Sequence, residues 1–297
     1  MNKKNLKIWF ADFWPEWKDE NFIFPILEKY YNITLDKNNP DIVFFSIFGN
    51  SHTKYKCKKI LFIAENIRNN YNETIKNNIR IAINTANYTI SFDPANDKNY
   101  RLPLWQVYIL LKPEIKERLF NKTILKIEEF KKFCSFTVSN SSNMFRNSMF
   151  YSLSQYKSIN SYGKFLTNDF SLQKLSKDRY WRDAKDEFFL KNPHKFSIVY
   201  ENTLYPYYCT EKLMDAFLCG SMPIYNGSNK VYEEFNEKSF INVGKLGTEK
   251  SIELIKEMDK NDDLFYQYYK EPVFTEEQKN KLESNLSKFE TWLMNII

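Results

Sequence analysis

The chain has 297 residues, a net charge of +6 and a hydrophobic share of 43%, values of a globular protein long enough for two domains and too apolar for a disordered one. Its basic residues are mixed with acids, as in KIEEFKK and KDRYWRDAKDE, which speaks against a nucleic-acid-binding arm and leaves a phosphate-bearing ligand or an acidic membrane surface as the expected anionic partner. Four cysteines without a C-x-x-C pair argue against a disulfide framework and a zinc site, and only two histidines occur, so acid–base chemistry falls to carboxylates.

The start, MNKKNLKIWFADFW, is too short and polar in its apolar part to read as a signal peptide, and no stretch approaches the ~20 apolar residues of a membrane span. The expected compartment is the cytoplasm. A peripheral membrane contact is left open by the apolar end Phe289, Trp292, Leu293, Ile296 and Ile297; the reading preferred here packs that helix back on the body.

In chain order, apolar runs predict strands at Leu6–Phe10, Ile42–Phe48, Lys59–Ala64, Ile79–Ile83 and Tyr88–Phe92. Between the first two, Phe22, Ile23, Ile26, Leu27 and Tyr30 recur at helical spacing. A helix follows Pro103 through LWQVYILLKPEIKERLF. After the charged KIEEFKK a new strand begins, Phe133–Asn140, then a helix in NMFRNSMFYSLSQY and a polar, charged stretch. The strand KFSIVYEN, the helix TEKLMDAFLCG, the strand SMPIYNG and a short strand SFINVG follow, and the end is helical. Strands separated by helices predict parallel sheets covered by helices. The expected domains are residues 1–127, residues 128–278 and a C-terminal helix over 279–297. Two such α/β halves would face each other across a cleft, a common place for a small-molecule site.

The segment from Lys195 to Gly227 carries the most chemistry. An apolar strand runs into a polar loop, and a helix begins near Thr210, whose hydroxyl is expected to cap it. Glu211 and Lys212 then fall in the first turn, where the helix dipole favours anions. A lysine there is explained if it meets a phosphate, and Glu211 if it accepts from the diol of a ribose. A solvated Glu–Lys pair accounts for the same residues equally well. Gly220 is expected to end the helix with positive φ. No G-x-G-x-x-G or Walker loop occurs among the six glycines, so phosphates would be met by side chains and a helix end.

Residues 196–242 resemble the signature region of the α-1,3-fucosyltransferases, glycosyltransferase family ten. The family pattern runs F-x-I-x-F-E-N-S/T, Y-x-T-E-K-L-x-x-A-F, G-x-x-P-I-Y-W-G and F-N-P-K-S-F-I-N; here it reads FSIVYENT, YCTEKLMDAF, CGSMPIYNG and FNEKSFIN. The likeness extends more weakly upstream, through KDEFFLKNPHKFSI, FTVSNSSNMFRNSMF, SFDPANDKNYRLPLW and ILFIAENIRNNY.

The resemblance implies an α/β protein of the GT-B class, two Rossmann-like domains with the acceptor on the first and the donor on the second. It implies inverting transfer of L-fucose from GDP-fucose to a hydroxyl of a glycan acceptor, in the family one ending in N-acetyllactosamine. The family's proposed base falls on Glu65 and its phosphate-contacting arginine on Arg146. Lys212 would share the diphosphate, and Asn140, Asn202, Tyr208 and Glu211 would contact ribose, sugar and base. Without D-x-D or histidine clusters, no metal is expected and no cofactor beyond the donor. The sequence departs from the pattern at Asn226, where the family has Trp, at Glu237, where it has Pro, and in a glycine-rich stretch reduced to Gly163. The alternatives are a transferase of this fold using another nucleotide sugar and a non-catalytic glycan-binding relative.

Overall fold

The computed structural model describes residues 3–14, 21–68 and 71–297. It divides into two compact units, residues 1–113 with 283–297 and residues 114–282.

The first unit contains Lys4–Ala11 (β1), Ile23–Glu28 (α1), Tyr31–Leu35 (β2), Ile42–Phe45 (β3), Lys58–Ile63 (β4), Glu73–Thr85 (α2), Tyr88–Ser91 (β5), Asn99–Arg101 (β6) and Leu104–Leu111 (α3). Its strands form one sheet in the order β2-β1-β3-β4-β5-β6, parallel throughout. Ile8, Phe44, Ile60, Phe62 and Ile90 join Phe22 and Leu27 in the core. The predicted strand Ile79–Ile83 is helical instead, inside α2. Asn72 accepts from the Ile75 amide at 3.0 Å to start that helix, and Ile79 and Ala82, three apart, are buried while Ile83 is exposed. The helical pattern read through Tyr30 also stops early: α1 ends at Glu28 and Tyr31 opens the edge strand β2, whose residues are half-buried or exposed.

The second unit contains Glu114–Phe120 (α4), Lys132–Phe136 (β7), Met144–Ser154 (α5), Ile159–Ser161 (β8), Ser171–Ser176 (α6), Trp181–Lys191 (α7), His194–Tyr200 (β9), Glu211–Leu218 (α8), Met222–Asn226 (β10), Ile241–Asn242 (β11), Val243–Leu246 (α9), Thr248–Lys260 (α10) and Asp262–Tyr269 (α11). The sheet order is β11-β10-β9-β7-β8, again parallel. Its order reverses between β7 and β9. A parallel α/β sheet opens a ligand crevice at the carboxyl ends of such a pair.

The long helix expected after Pro103 breaks into α3 and α4. Lys112, immediately before Pro113, has φ −137° and ψ 86°, because the proline ring disfavours helical geometry in the residue ahead of it. The change of unit falls there, ahead of the 127/128 boundary read from the sequence: α4 packs on α8, with Arg118 Nη2 donating to the Leu218 carbonyl at 2.8 Å. The stretch read as polar and charged contains α7. The last helix, Glu276–Ile296 (α12), carries Phe289, Leu293 and Ile296 into the core of the first unit, so those side chains are withdrawn from any membrane surface. No helix among the described residues is long and apolar enough to cross a membrane.

Candidate active site

A cavity of about 270 Å³ lies in the second unit, lined by the ends of β7 and β9 and by α7 and α8. Its floor is made by small side chains. Ser135 and Ser197 face each other across the β7–β9 ladder, Ser135 Oγ donating to Ser197 Oγ at 2.8 Å, and Ser221 joins them. Larger side chains there would fill the space under the helices. One wall is α7, whose Trp181, Lys185 and Phe189 recur at i+4. The other is α8, through Lys212, Asp215, Ala216 and Cys219.

At the mouth stands Arg146, on α5, yet only 2% exposed. Asn143 sets its position: its Oδ1 caps α5 by accepting from the Arg146 amide at 3.0 Å, while its Nδ2 donates to the Glu201 carbonyl at 2.8 Å. The first turn of α5 is thereby tied to the end of β9. Arg146 Nη1 donates to Asn202 Oδ1 at 3.1 Å and Nη2 donates to the Asn140 carbonyl. Its Nε has no hydrogen-bond partner among the described residues, and a buried donor left over in this way is the exception in folded proteins.

The start of α8 differs from the expectation. Thr210 is the N-cap residue, but its hydroxyl makes no cap bond. It donates to Glu201 Oε2 at 2.7 Å, and its amide donates to Glu201 Oε1 at 2.8 Å. Glu201, fully buried at the end of β9, takes the hydroxyl proton, and the hydroxyl oxygen accepts from the Lys212 ammonium in place of a helix amide. Lys212 Nζ donates to Thr210 Oγ1 at 2.9 Å and to Glu201 Oε2 at 3.4 Å, and lies 3.7 Å from Glu211 Oε1. The protein thus supplies an anion of its own to a cation at a helix N-terminus. Burial pushes the Glu201 carboxyl above its ordinary range, against the pull of Lys212 and Thr210. Burial also works on Glu211, but Lys212, Lys185 and Arg182 outweigh it and hold that carboxyl well below the usual range.

Behind this edge, Asp215 receives Arg182 Nη2 at 2.5 Å and the Lys185 ammonium. Burial is the largest single influence on Lys185 and lowers its pKa, but the charge and hydrogen bond of Asp215 with the charge of Glu211 together raise it above the ordinary value. Two glycines are required by close approach. A Cβ on Gly163 would fall 1.9 Å from the Val138 carbonyl oxygen at the cavity edge, and one on Gly227 would fall 2.7 Å from Glu201 Cγ. Gly220, at φ +71°, ends α8 in the left-handed region.

Of the residues singled out in the sequence, Asn140, Arg146, Asn202, Glu211 and Lys212 all line this cavity. Tyr208 does not: it is 1% exposed, buried in the loop before Thr210. Sequence reasoning missed Asn143, Glu201, Lys185, Asp215 and Trp181. Glu201 stands inside the quoted ENT triplet, and Trp181 and Lys185 show an i, i+4 spacing that could have marked α7. Glu65 belongs to the first unit, two residues after β4 and half-buried. Burial and the Glu65 charge push the neighbouring Tyr71 hydroxyl up to about 12. Both histidines are fully buried; His52 Nδ1 sits 2.6 Å from Asp12 Oδ2, and the His194 Nε2 lies 3.0 Å from the Tyr162 hydroxyl.

Residues 8–108 match the α-(1,3)-fucosyltransferase FucT N-terminal domain, and residues 127–289 match the C-terminal part of glycosyltransferase family 10 (fucosyltransferase). The chain belongs to glycosyltransferase family 10. The α-(1,3)-fucosyltransferase FucT of Helicobacter pylori is 27% identical over 325 residues, a match covering 95% of this chain and 63% of that protein. This chain therefore spans less than two thirds of that relative. A crystal structure of an α1,3-fucosyltransferase with GDP-fucose superposes with TM-score 0.68 at 22% identity, over 98% of this chain and 91% of that one. Anabaena Alr3699/HepE in complex with UDP-glucose does so with TM-score 0.54 at 8% identity, over 96% and 100%. These structural likenesses are likenesses of fold, and the fold is the GT-B class of two Rossmann-like units.

Proposed function

We propose that the chain transfers L-fucose from GDP-fucose to a hydroxyl of a glycan acceptor, in the manner of the α-1,3-fucosyltransferases, by a single inverting displacement. The observation that carries this reading is the convergence of Arg146, Lys212 and Glu211 on one cavity at the carboxyl edge of β7 and β9, in a member of a fucosyltransferase family. The leaving group is a nucleoside diphosphate, and its charge grows as the bond to the sugar breaks. Arg146 suits a forked grip on that charge and Lys212 a point contact, reinforced by the amides at the start of α8. Glu211, held ionised by its cationic neighbours, accepts from the ribose diol. Asn140 and Asn202 hold Arg146 and reach the donor from the same edge, while Tyr208 supports the loop from behind.

Inversion needs one general base to take the acceptor proton, and Glu65 is assigned that role. Metal is not required in this scheme: two cations and a helix end meet the diphosphate. We place the protein in the cytoplasm, on a cysteine spacing that supports no disulfide framework.

A second reading, another nucleotide sugar, is favoured by one observation. A second cavity of about 380 Å³ in the same unit is lined by Asn226, Asn229, Asn242, Tyr232 and Lys245, at the position where the family carries Trp. Donor hydrolysis and thermal shift with GDP-, UDP- and TDP-sugars separate the two. GDP-fucose alone should be turned over and should stabilise the protein, with EDTA leaving turnover unchanged. Preference for a UDP- or TDP-sugar would overturn the donor assignment.

A further inference from the structure

We infer that Glu201 is a positioning residue of the donor site, acting through Lys212 rather than on the ligand; this rests on the reading of the cavity as a nucleotide-sugar site. The geometry is a closed set of bonds. A hydroxyl has one proton to donate and lone pairs to accept with. Thr210 commits its proton to Glu201 Oε2, so toward Lys212 Nζ, at 2.9 Å, it can only accept. Lys212 Nζ also meets Glu201 Oε2 directly, at 3.4 Å. One buried carboxylate therefore fixes the direction of the Thr210 hydroxyl, the start of α8 and the place of the ammonium. Lys212 has a quarter of its side chain exposed whereas Glu201 has none; the cation borders the cavity and its anchor does not.

An amide cannot replace this carboxylate. Glutamine at position 201 has the same shape, but it presents one oxygen and one NH₂ where the site needs two acceptors. With the oxygen toward the Thr210 amide, the NH₂ meets the Thr210 hydroxyl and faces the Lys212 ammonium. Turned over, it sets two donors against each other at the Thr210 amide. The first orientation takes from Lys212 its carboxylate contact without removing its charge, and the second breaks the bond that fixes the start of α8.

The test is a double-mutant cycle with GDP as the probe, read by calorimetry, on wild type, Glu201→Gln, Lys212→Ala and the double variant. Glu201→Gln should weaken GDP binding about tenfold, the order of one charge-assisted hydrogen bond lost. The decisive outcome is the double variant, which should bind GDP no more weakly than Lys212→Ala alone, because Glu201 acts through that ammonium. A purely structural Glu201 would add its full loss to that of Lys212→Ala, and that result overturns the inference. Thr210→Val, which keeps the shape and deletes the hydroxyl, supplies a second cycle with the same expectation should Glu201→Gln fold poorly. If Lys212→Ala leaves GDP affinity unchanged, the reading of the cavity as a GDP-sugar site falls, and this inference with it. If Lys212→Ala weakens binding while Glu201→Gln and Thr210→Val do not, only the inference falls.

Discussion

Arg146 and Asn202 are joined across the mouth of the cavity, Nη1 to Oδ1 at 3.1 Å, although they come from different elements, α5 and the loop after β9. The other terminal nitrogen is bonded to the Asn140 carbonyl, so the planar guanidinium is held at two points in a buried place. A lysine carries the same charge but no fork. It could keep one of these bonds and would leave the other acceptor without its donor. Arg146→Lys is therefore expected to lower kcat/KM for the donor by about 10² or more, with the larger part in kcat if the grip tightens as the leaving group forms. Steady-state kinetics with varied donor measures it; a loss below threefold would remove Arg146 from the diphosphate site.

Glu65 follows a strand at its carboxyl edge and belongs to a different unit from the cavity between β7, β9, α7 and α8. A general base acts on the acceptor proton and not on the donor. Glu65→Gln should accordingly reduce kcat by roughly 10²–10⁴ while leaving the calorimetric affinity for GDP within about twofold of wild type. Loss of GDP affinity in this variant would contradict the assignment.

The strand–loop–helix order of the second unit was largely readable, and for a physical reason. Between Phe196 and Gly227 the polar residues follow one another in a strand–loop–helix order, and local rules fix where that order places Asn202, Glu211 and Lys212. Thr210 shows the limit of such rules: a threonine before a helix predicts a cap, but the buried carboxylate of Glu201, nine residues earlier, takes its hydroxyl. The helix α7 was hidden for a related reason. Its inward face carries Arg182 and Lys185, which read as solvated charge until Asp215, from α8, is seen to meet both. The isoleucine run in α2 looks like a strand because β-branched residues favour sheets, and the cap at Asn72 together with burial of Ile79 and Ala82 decides otherwise. Tertiary partners, rather than composition, account for each of these differences.

Asp215 makes the cost of such partners measurable. It is 8% exposed on its side chain and Arg182 is 7% exposed, with Lys185 bonded to its second oxygen. Asp215→Ala takes away the anion that bonds Arg182 and Lys185 at once. Breaking a buried pair by removing one member costs about 3–5 kcal/mol, so a fall in Tm of roughly 10 °C is expected. Differential scanning calorimetry reads it directly. Asp215→Asn, which retains one acceptor, should fall between the two; a variant with wild-type Tm would mean that the pair contributes little to the fold.

His194 gives the protein a specific pH dependence. Its ring is fully buried, edge-on to Tyr162 and Phe189. Burial brings its pKa down from 6.5 to about 4, with the Lys132 charge adding to this and Asp169 and a bond involving Asn192 opposing it. Between those two values the unfolded chain binds a proton that the folded chain refuses. Stability therefore rises with pH across the window from about 4 to 6.5 and levels off above it, by on the order of 3 kcal/mol for this one group. Asp169, held low with help from Lys132, loses its own contribution only as the pH falls below its unfolded value of 3.8, beneath the histidine window. In His194→Phe, where an aromatic ring replaces the imidazole among aromatic neighbours, the slope of Tm against pH between 4.5 and 6.5 should flatten while the value at pH 8 changes less. An unaltered slope in that variant would show that the proton uptake belongs to another group.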